Sequence, residues 1–180
     1  GFVVGLDYRN PYLSPYEEFQ RFKTHPAIRT VFEGGRRIAY GARSLNEGGF
    51  QAIPALAVPG AALIGDSAGF LNVPKIKGIH TAMKSGMVAA EVAIDRIGGE
   101  PALLSDYRER LERSWVWAEL KAARNIRPGF RAGLVPGLAN AAFETFVTRG
   151  RSPWTLSHHR DNEALQPAAS SQPLVYPKPD

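Results

Sequence analysis

The 180-residue sequence contains no cysteine. Within these residues that excludes disulfides, thiolate ligation of an iron–sulfur cluster and a cysteine nucleophile. It also lacks any G-x-G-x-x-G, so the glycine fingerprint that seats a dinucleotide pyrophosphate is not here. Residues 48–65 carry no charge, but Pro54, Pro59 and the glycines among them rule out a spanning helix. The histidines (His25, His80, His158 and His159) show no metal spacing with acidic neighbours, and His158-His159 reads as a solvated loop. No leader segment is visible. The chain opens on Gly1-Phe2-Val3-Val4 and closes on "YPKPD". Both ends read as cut, so a segment of a longer protein is expected.

What is present is a chain that is 44% hydrophobic, long enough for one domain with a real core. Its net charge of +5 suits an anionic membrane surface, an acidic protein or nucleic acid. No zinc-finger, RRM or KH pattern accompanies the charge, so no nucleic-acid partner is expected. Arg124, Arg127 and Arg131 precede an apolar stretch, and Arg149 and Arg151 follow it.

Along the chain, residues 2–8 read as a strand and "NPYLSP" as a turn. Ser14-Pro15-Tyr16-Glu17 carries a helix start, with Ser as cap, Pro at the first helical position and Glu three on. Tyr16, Phe19 and Phe22 give that helix an aromatic face, and Pro26 ends it. "RRIAYGA" is expected to form a strand, followed by the loop "RSLNEGGFQAIP", and "AALIG" a strand buried on both faces. From Thr81 the period is helical: Met83, Met87, Ala90, Ile94 and Ile97 make one stripe, and Gly98-Gly99 stops it. Ala82, Gly86, Ala89 and Ala93 on the other face are small enough to let the helix lie close to a sheet. A second helix is expected from Leu104 to Asn125, with Tyr107, Leu111, Trp115, Ala118 and Ala122 in register and Glu109 paired with Arg113. The last 20 residues read as an extended, proline-rich strap.

The informative stretch is "ALIGDSAGFLNVPKIKGIHTAMKSG", Ala62 to Gly86. A strand ending in Gly65-Asp66 sets a carboxylate at the carboxyl edge of a sheet, where such folds bind ligands. There it can accept hydrogen bonds from sugar-like hydroxyls. Gly69 lets backbone approach a ligand without a Cβ in the way. A helix starting near Gly78–Thr81 aims unsatisfied N–H groups and a partial positive charge into the same space. From spacing alone, a flavin site and a plain strand–turn–helix with a capping aspartate are equally open.

"GDSAGFLNVPKIKGIHTAMKSG" resembles the second flavin-contacting motif of electron transfer flavoprotein–ubiquinone oxidoreductases. "GFVVGLDYRNPYLSPYEEFQRFKTHP", "GGRRIAYGARSLNEGGFQAIP", "SWVWAELKAARNIRP" and "PWTL…YPKPD" match that family in the same order, covering nearly the whole chain. The resemblance implies a mixed α/β (α+β) class: part of a glutathione-reductase-like FAD-binding fold with a quinone-binding, membrane-facing subdomain. It implies a division into residues 1–58 (quinone or substrate portion), 59–100 (second half of the FAD domain), 101–160 (helical, membrane-facing) and 161–180 (a linker towards an Fe–S module).

It further implies electron transfer flavoprotein and ubiquinone as partners. The cofactors would be FAD and, in the full-length enzyme only, a [4Fe-4S] cluster with no ligands in this segment. Gly65, Asp66 and Gly69 would meet the ribityl–phosphate region, and Gly78, Ile79, His80 and Thr81 would form the helix start facing the ring. Asn46, beside Gly48 and Gly49, is the polar candidate lining the cavity. Ile79 departs from the small hydroxyl residue expected there. Lys75 and Lys77 would lie near the connecting loop as solvated charges. No metal ligand and no catalytic acid or base is expected, and the segment alone should hold FAD weakly and not catalyse. The family's quinone-contacting glycine pair falls upstream of Gly1.

Pro128 to Gly150 is apolar but interrupted by Pro136 and Glu144. By composition it reads as a core-packed helix with charged flanks. The resemblance shifts that to a helix lying in the bilayer interface, with Leu134, Leu138, Ala141, Ala142, Phe146 and Val147 on its apolar face. Peripheral attachment to an inner membrane follows: a bacterial cytoplasmic membrane, or the matrix side of a mitochondrial one. The alternatives are a geranylgeranyl-reductase-like flavoprotein fragment and a non-catalytic peripheral membrane module.

Overall fold

The first helix, α1 (Pro15–Thr24), begins where the sequence predicts. Ser14 is extended, and its hydroxyl accepts from the Glu17 amide at 3.4 Å. Glu17 and Glu18 lie in the first turn and Arg21 and Lys23 in the last, matching the helix dipole. Pro26 does end α1, and it also starts α2 (Pro26–Phe32), which the sequence reading lacked. His25 serves both helices, its ring nitrogen accepting from the Ala27 amide at 3.2 Å. The structure is a computed structural model describing residues 1–95, 97 and 105–177. It divides into two units, residues 1–42 with the stretch from His159 onward, and Arg43–His158.

In the first unit Phe2 stacks on Phe19 at 5.5 Å and leans on Phe22 at 5.3 Å. The proline-rich strap is tied to α1. The Tyr176 hydroxyl accepts from the Ser14 amide at 3.0 Å and donates to Glu18 at 3.2 Å, and the Gln166 amide donates to the Arg9 carbonyl at 2.8 Å.

The second unit holds the apolar core: Leu56, Ala68, Phe70, Val88, Val92, Tyr107, Leu111, Val116 and Leu120. Its sheet is one antiparallel pair, β1 (Ala57–Val58) and β2 (Ala61–Ala62). Helix α3 (Ile79–Asp95) follows, then α4 (Ser105–Glu112), α5 (Trp115–Ala122), the single turn α6 (Ile126–Gly129) and α7 (Leu134–Ala142), which runs into a π-helical turn, Phe143–Val147. The class is thus mixed, mostly helical with a small sheet.

Several expectations need correction. Residues 2–8 and 36–42 form no strand. Neither stretch has a neighbouring strand among the described residues, and a strand forms only where a second one supplies the ladder. "AALIG" contributes only Ala61–Ala62 to a strand, because β1 is its single partner among the described residues; Ala62 packs on the core, and Leu63 and Ile64 are exposed.

On α3 the larger apolar stripe lies outside. Met83, Met87 and Ile94 are exposed, and Thr81, Ser85, Val88 and Val92 are buried. The smaller face wins because α3 lies against the Gly65–Ala68 turn, where Ala82 would meet a Cβ on Gly65 at 3.1 Å. The hydroxyls on that face serve the neighbouring loop: Ser85 Oγ accepts from the Gly65 amide at 2.9 Å.

The expected single helix from Leu104 to Asn125 is two helices. Ser114 takes an extended ψ of 160°, breaking the run before Trp115. Glu109 and Arg113 pair as expected, at 2.5 Å. Leu104 and Gly98-Gly99 lie outside the described residues.

Candidate functional site

Asp66 sits in a 3₁₀ turn, Gly65–Ala68, that ends at Gly69 with φ +80°. Gly65 also has positive φ, +60°. Both conformations favour glycine, and together they fold the Gly-Asp turn back over α3. The turn lines a surface depression of about 300 Å³ formed by Ser44, Leu45, Asn46, Asp66 and Ser67. The two polar residues singled out from the sequence, Asn46 and Asp66, thus meet in space across 20 positions of chain. A Cβ on Gly69 would lie 3.4 Å from the Asn46 amide nitrogen, an ordinary contact, so it is the backbone conformation that calls for glycine here.

Asp66 also faces the start of α3. A Cβ on Gly78 would sit 3.6 Å from Asp66 Oδ1. The helix begins at Ile79, and its first regular bond runs from the Ala82 amide to the Gly78 carbonyl at 2.8 Å. The amides ahead of Ala82 therefore have no intrahelical acceptor. Ile79 is exposed. Thr81 is fully buried and shares its hydroxyl between the carbonyls of Phe70, at 2.5 Å, and Gly78, at 2.8 Å.

The His80 side chain meets α5. Its Nε2 lies 2.9 Å from Glu119 Oε1, and its ring stacks on Trp115 at 5.6 Å with 6° between planes. The same carboxylate oxygen accepts from Asn72 Nδ2 at 2.7 Å and pairs with Lys75 at 3.2 Å. Burial works against the charge of Glu119, but bonds from His80, Asn72 and Lys75 outweigh it and hold the carboxyl below its usual range. The connecting loop, expected as solvated lysines, is thus anchored at Lys75. It also carries Ile76 at φ +51°, a conformation rare for a β-branched residue. Glu119 escaped the sequence reading. Its signal is the i,i+4 spacing from Trp115, which puts the two on one face of α5.

A second cluster supports α7. Arg124 is buried and donates to the carbonyls of Lys121 at 2.8 Å, Gly150 at 2.9 Å and Trp154 at 3.2 Å, and also to that of Ser152. Glu144 is buried too, accepting from Asn125 at 3.0 Å, Thr148 at 2.8 Å and the Ser152 hydroxyl. Burial raises its pKa, and the Ser152, Thr148 and Asn125 bonds with the Arg124 charge lower it further than burial raises it. The polar side of this segment is therefore spent inside the protein. Its apolar residues face outward: Leu134 is 68% exposed, Leu138 55% and Phe146 76%, with Val135, Phe143 and Val147 beside them. Among the described residues no helix is long and apolar enough to cross a membrane. No group of His, Asp or Glu among them could hold a metal ion.

Comparison with known proteins bears on this arrangement. Residues 1–45 match the family described as "ETF-QO, ubiquinone-binding". The chain is 56% identical over 181 residues to the mitochondrial electron transfer flavoprotein–ubiquinone oxidoreductase of Oryza sativa subsp. japonica, covering 100% of this chain and 31% of that protein. The Arabidopsis thaliana protein of the same name is 58% identical, with 28% of it covered. The Homo sapiens one is 53% identical over 190 residues, with 31% covered.

Along its whole length this chain is similar to electron transfer flavoprotein–ubiquinone oxidoreductases. The resemblance drawn from the residues holds. The chain spans about a third of the length of these relatives, 31% of the rice protein. The stretch matched as ubiquinone-binding holds α1 and α2, and the depression and the exposed α7 face lie outside it, apart from Ser44 and Leu45.

Proposed function

We propose that this chain is part of an FAD-dependent oxidoreductase that passes electrons from electron transfer flavoprotein to membrane ubiquinone. The observation carrying the proposal is identity of 53% or more, over the whole chain, to the plant and human oxidoreductases of that name. The geometry agrees with a partial flavin site. Asp66 and Asn46 share one depression beside the amide-rich start of α3, with Gly69 next to Asn46 and Gly78 next to Asp66. About 300 Å³ takes a portion of a dinucleotide, not all of it, since whole-ligand pockets run to about 1,000 Å³. These residues suit FAD; they do not suit an iron–sulfur cluster.

When bound, FAD would supply the two-electron to one-electron exchange such a reaction needs. The residues of this chain would bind and orient it. Asp66 would accept from ribityl hydroxyls, Asn46 would offer an amide, and the first amides of α3 (Ile79, His80, Thr81) would favour negative charge. Gly69 and Gly78 would let backbone close on the ligand. Residues 59–100 would then belong to the flavin domain, 1–58 to the quinone portion, 101–160 to the membrane-facing portion and 161–180 to a linker. Leu134, Leu138 and Phe146 would dip into the bilayer interface, flanked by Arg127, Arg131, Arg149 and Arg151, giving peripheral attachment to an inner membrane.

The test uses the full-length protein that contains this segment. It should purify with bound flavin and reduce ubiquinone-1 when given reduced electron transfer flavoprotein. Asp66→Ala should lower the flavin-to-protein ratio severalfold without unfolding the chain. A full-length protein that binds no flavin would sink the reading, and so would one that binds flavin but does not reduce the quinone.

A further inference from the structure

The Glu119 cluster reaches the first turn of α3 through His80, and its side chains have no part in the proposed flavin site so far. Three groups converge on a single oxygen, Oε1: Asn72 Nδ2 at 2.7 Å, His80 Nε2 at 2.9 Å and Lys75 Nζ at 3.2 Å. An ionised carboxylate only accepts, so a bond to it requires that Nε2 carry the proton. The other ring nitrogen, Nδ1, is then an acceptor whenever the imidazole is neutral. Among the described residues no hydrogen-bond partner meets Nδ1. Trp115, stacked on one ring face at 5.6 Å, limits how the imidazole can turn. Asn72 caps the 3₁₀ turn Val73–Lys75 through its own side-chain oxygen, so the same cluster also pins the connecting loop. The charged groups facing His80 are Glu119 on α5 and Lys75 on that loop.

We propose that Glu119 is a positioning residue: it fixes His80, in the first turn of α3, as the Nε2–H tautomer and so leaves Nδ1 a hydrogen-bond acceptor at the helix start that the flavin reading uses. A donor group of a bound ligand, such as a hydroxyl or an imide N–H, is the chemistry Nδ1 would meet. For what lies beyond Nδ1 the proposal rests on the flavin reading; for the tautomer it does not.

The experiment is long-range ¹H–¹⁵N spectroscopy of ¹⁵N-histidine-labelled full-length protein, with His80 assigned by loss of its signals in His80→Gln. Above the pH of imidazole protonation, wild type should show His80 as Nε2–H only. Glu119→Leu, which keeps bulk but no acceptor, should bring the two tautomers to within about tenfold of each other, a bond to a charged group being worth that factor or more. Glu119→Gln, which keeps an acceptor oxygen, should restore the wild-type pattern and serves as the readout if the leucine variant does not fold. An Nδ1–H signal in wild type, or an unchanged tautomer ratio in folded Glu119→Leu, would overturn the proposal. Absence of flavin from a protein with the expected tautomer would overturn the flavin reading and leave this one standing.

Discussion

Asn125 donates through Nδ2 to the Glu144 carboxylate at 3.0 Å, and both side chains are buried. Asn125 also receives the Leu156 amide on its side-chain oxygen at 2.8 Å, and its Nδ2 reaches the Trp154 carbonyl at 3.1 Å. One pair thus ties the start of α6, the π-helical turn after α7 and the loop beyond it. Glu144→Leu takes a carboxylate acceptor from the buried Asn125 amide and from the Thr148 and Ser152 hydroxyls, and the counter-charge from Arg124. It should cost about 3 kcal/mol in urea unfolding, since each buried unsatisfied group costs roughly 1–3 kcal/mol. Glu144→Gln should cost less, because its oxygen still accepts from Asn125.

The same pair sets an acid dependence. The folded-state pKa of Glu144 lies below its usual value, so on acidification the unfolded chain takes the proton first. Its contribution is therefore complete above the ordinary glutamate pKa of about 4.3 and is lost as pH falls beneath it. The stability gap between wild type and Glu144→Gln, measured by urea at several pH values, should be widest at neutral pH and close in acid. A gap constant down to pH 3 would contradict the assignment.

Tyr107 gives the opposite dependence. Its hydroxyl donates to the Leu63 carbonyl at 3.0 Å, and burial, partly offset by a bond with Ser85, pushes its pKa up to about 12. Tyr107→Phe should cost about 1 kcal/mol at neutral pH for the lost bond. Here the raised acid contributes fully below the unfolded value of about 10. That contribution is lost as pH rises through the folded value of about 12, because the unfolded phenol ionises first. Wild type should lose its advantage over Tyr107→Phe between those two values.

Two glycines that look alike in the sequence should answer alanine in opposite ways. On α7 a Cβ at Gly137 would lie 2.4 Å from Phe130 Cδ1 and 2.9 Å from its Cα, too near for either to stay put. Gly137→Ala should therefore destabilise, despite the helix preference for alanine of up to about 1 kcal/mol. On α3 the nearest atom to a Cβ at Gly86 is Ile64 Cδ1 at 3.9 Å, and Gly86→Ala should stabilise this chain by about that amount. Thermal melts of the two variants decide it.

Local chemistry was the legible part of the fold. Ser14, Pro15 and Glu17 announce α1 because a cap is satisfied within four residues, and Glu109 with Arg113 needs only one helix turn. Strands were misread because pairing is nonlocal: the residues of 36–42 are strand-like, and no strand among the described residues pairs with them. On α3 the spacing marked a bulky stripe and a small face, and packing against the Gly65 turn selects the side where Thr81 and Ser85 bond to neighbouring loops. Asn46 and Asp66 were each picked out, and only folding shows that they share a wall. Arg124, Asn125 and Glu144 were invisible as a set, since such residues are mostly exposed and nothing in their spacing says otherwise. The one clue was Glu144 itself, a lone carboxylate in an apolar stretch.

That buried carboxylate bears on the membrane question. A core-packed helix would hide its apolar side and show its charge to water, whereas here Glu144 is inside and Leu138 and Phe146 are outside, at 55% and 76% exposure. If this face enters a bilayer interface, Leu138→Ser with Phe146→Ser should weaken binding of the full-length protein to anionic liposomes by tenfold or more. Burying two such side chains is worth roughly 3 kcal/mol or more. Flotation on a density gradient reads this directly. The substituted positions are exposed, so the unfolding midpoint should barely move, which separates lost binding from lost folding. Liposome binding equal to wild type would show that the apolar face of α7 is not the membrane contact.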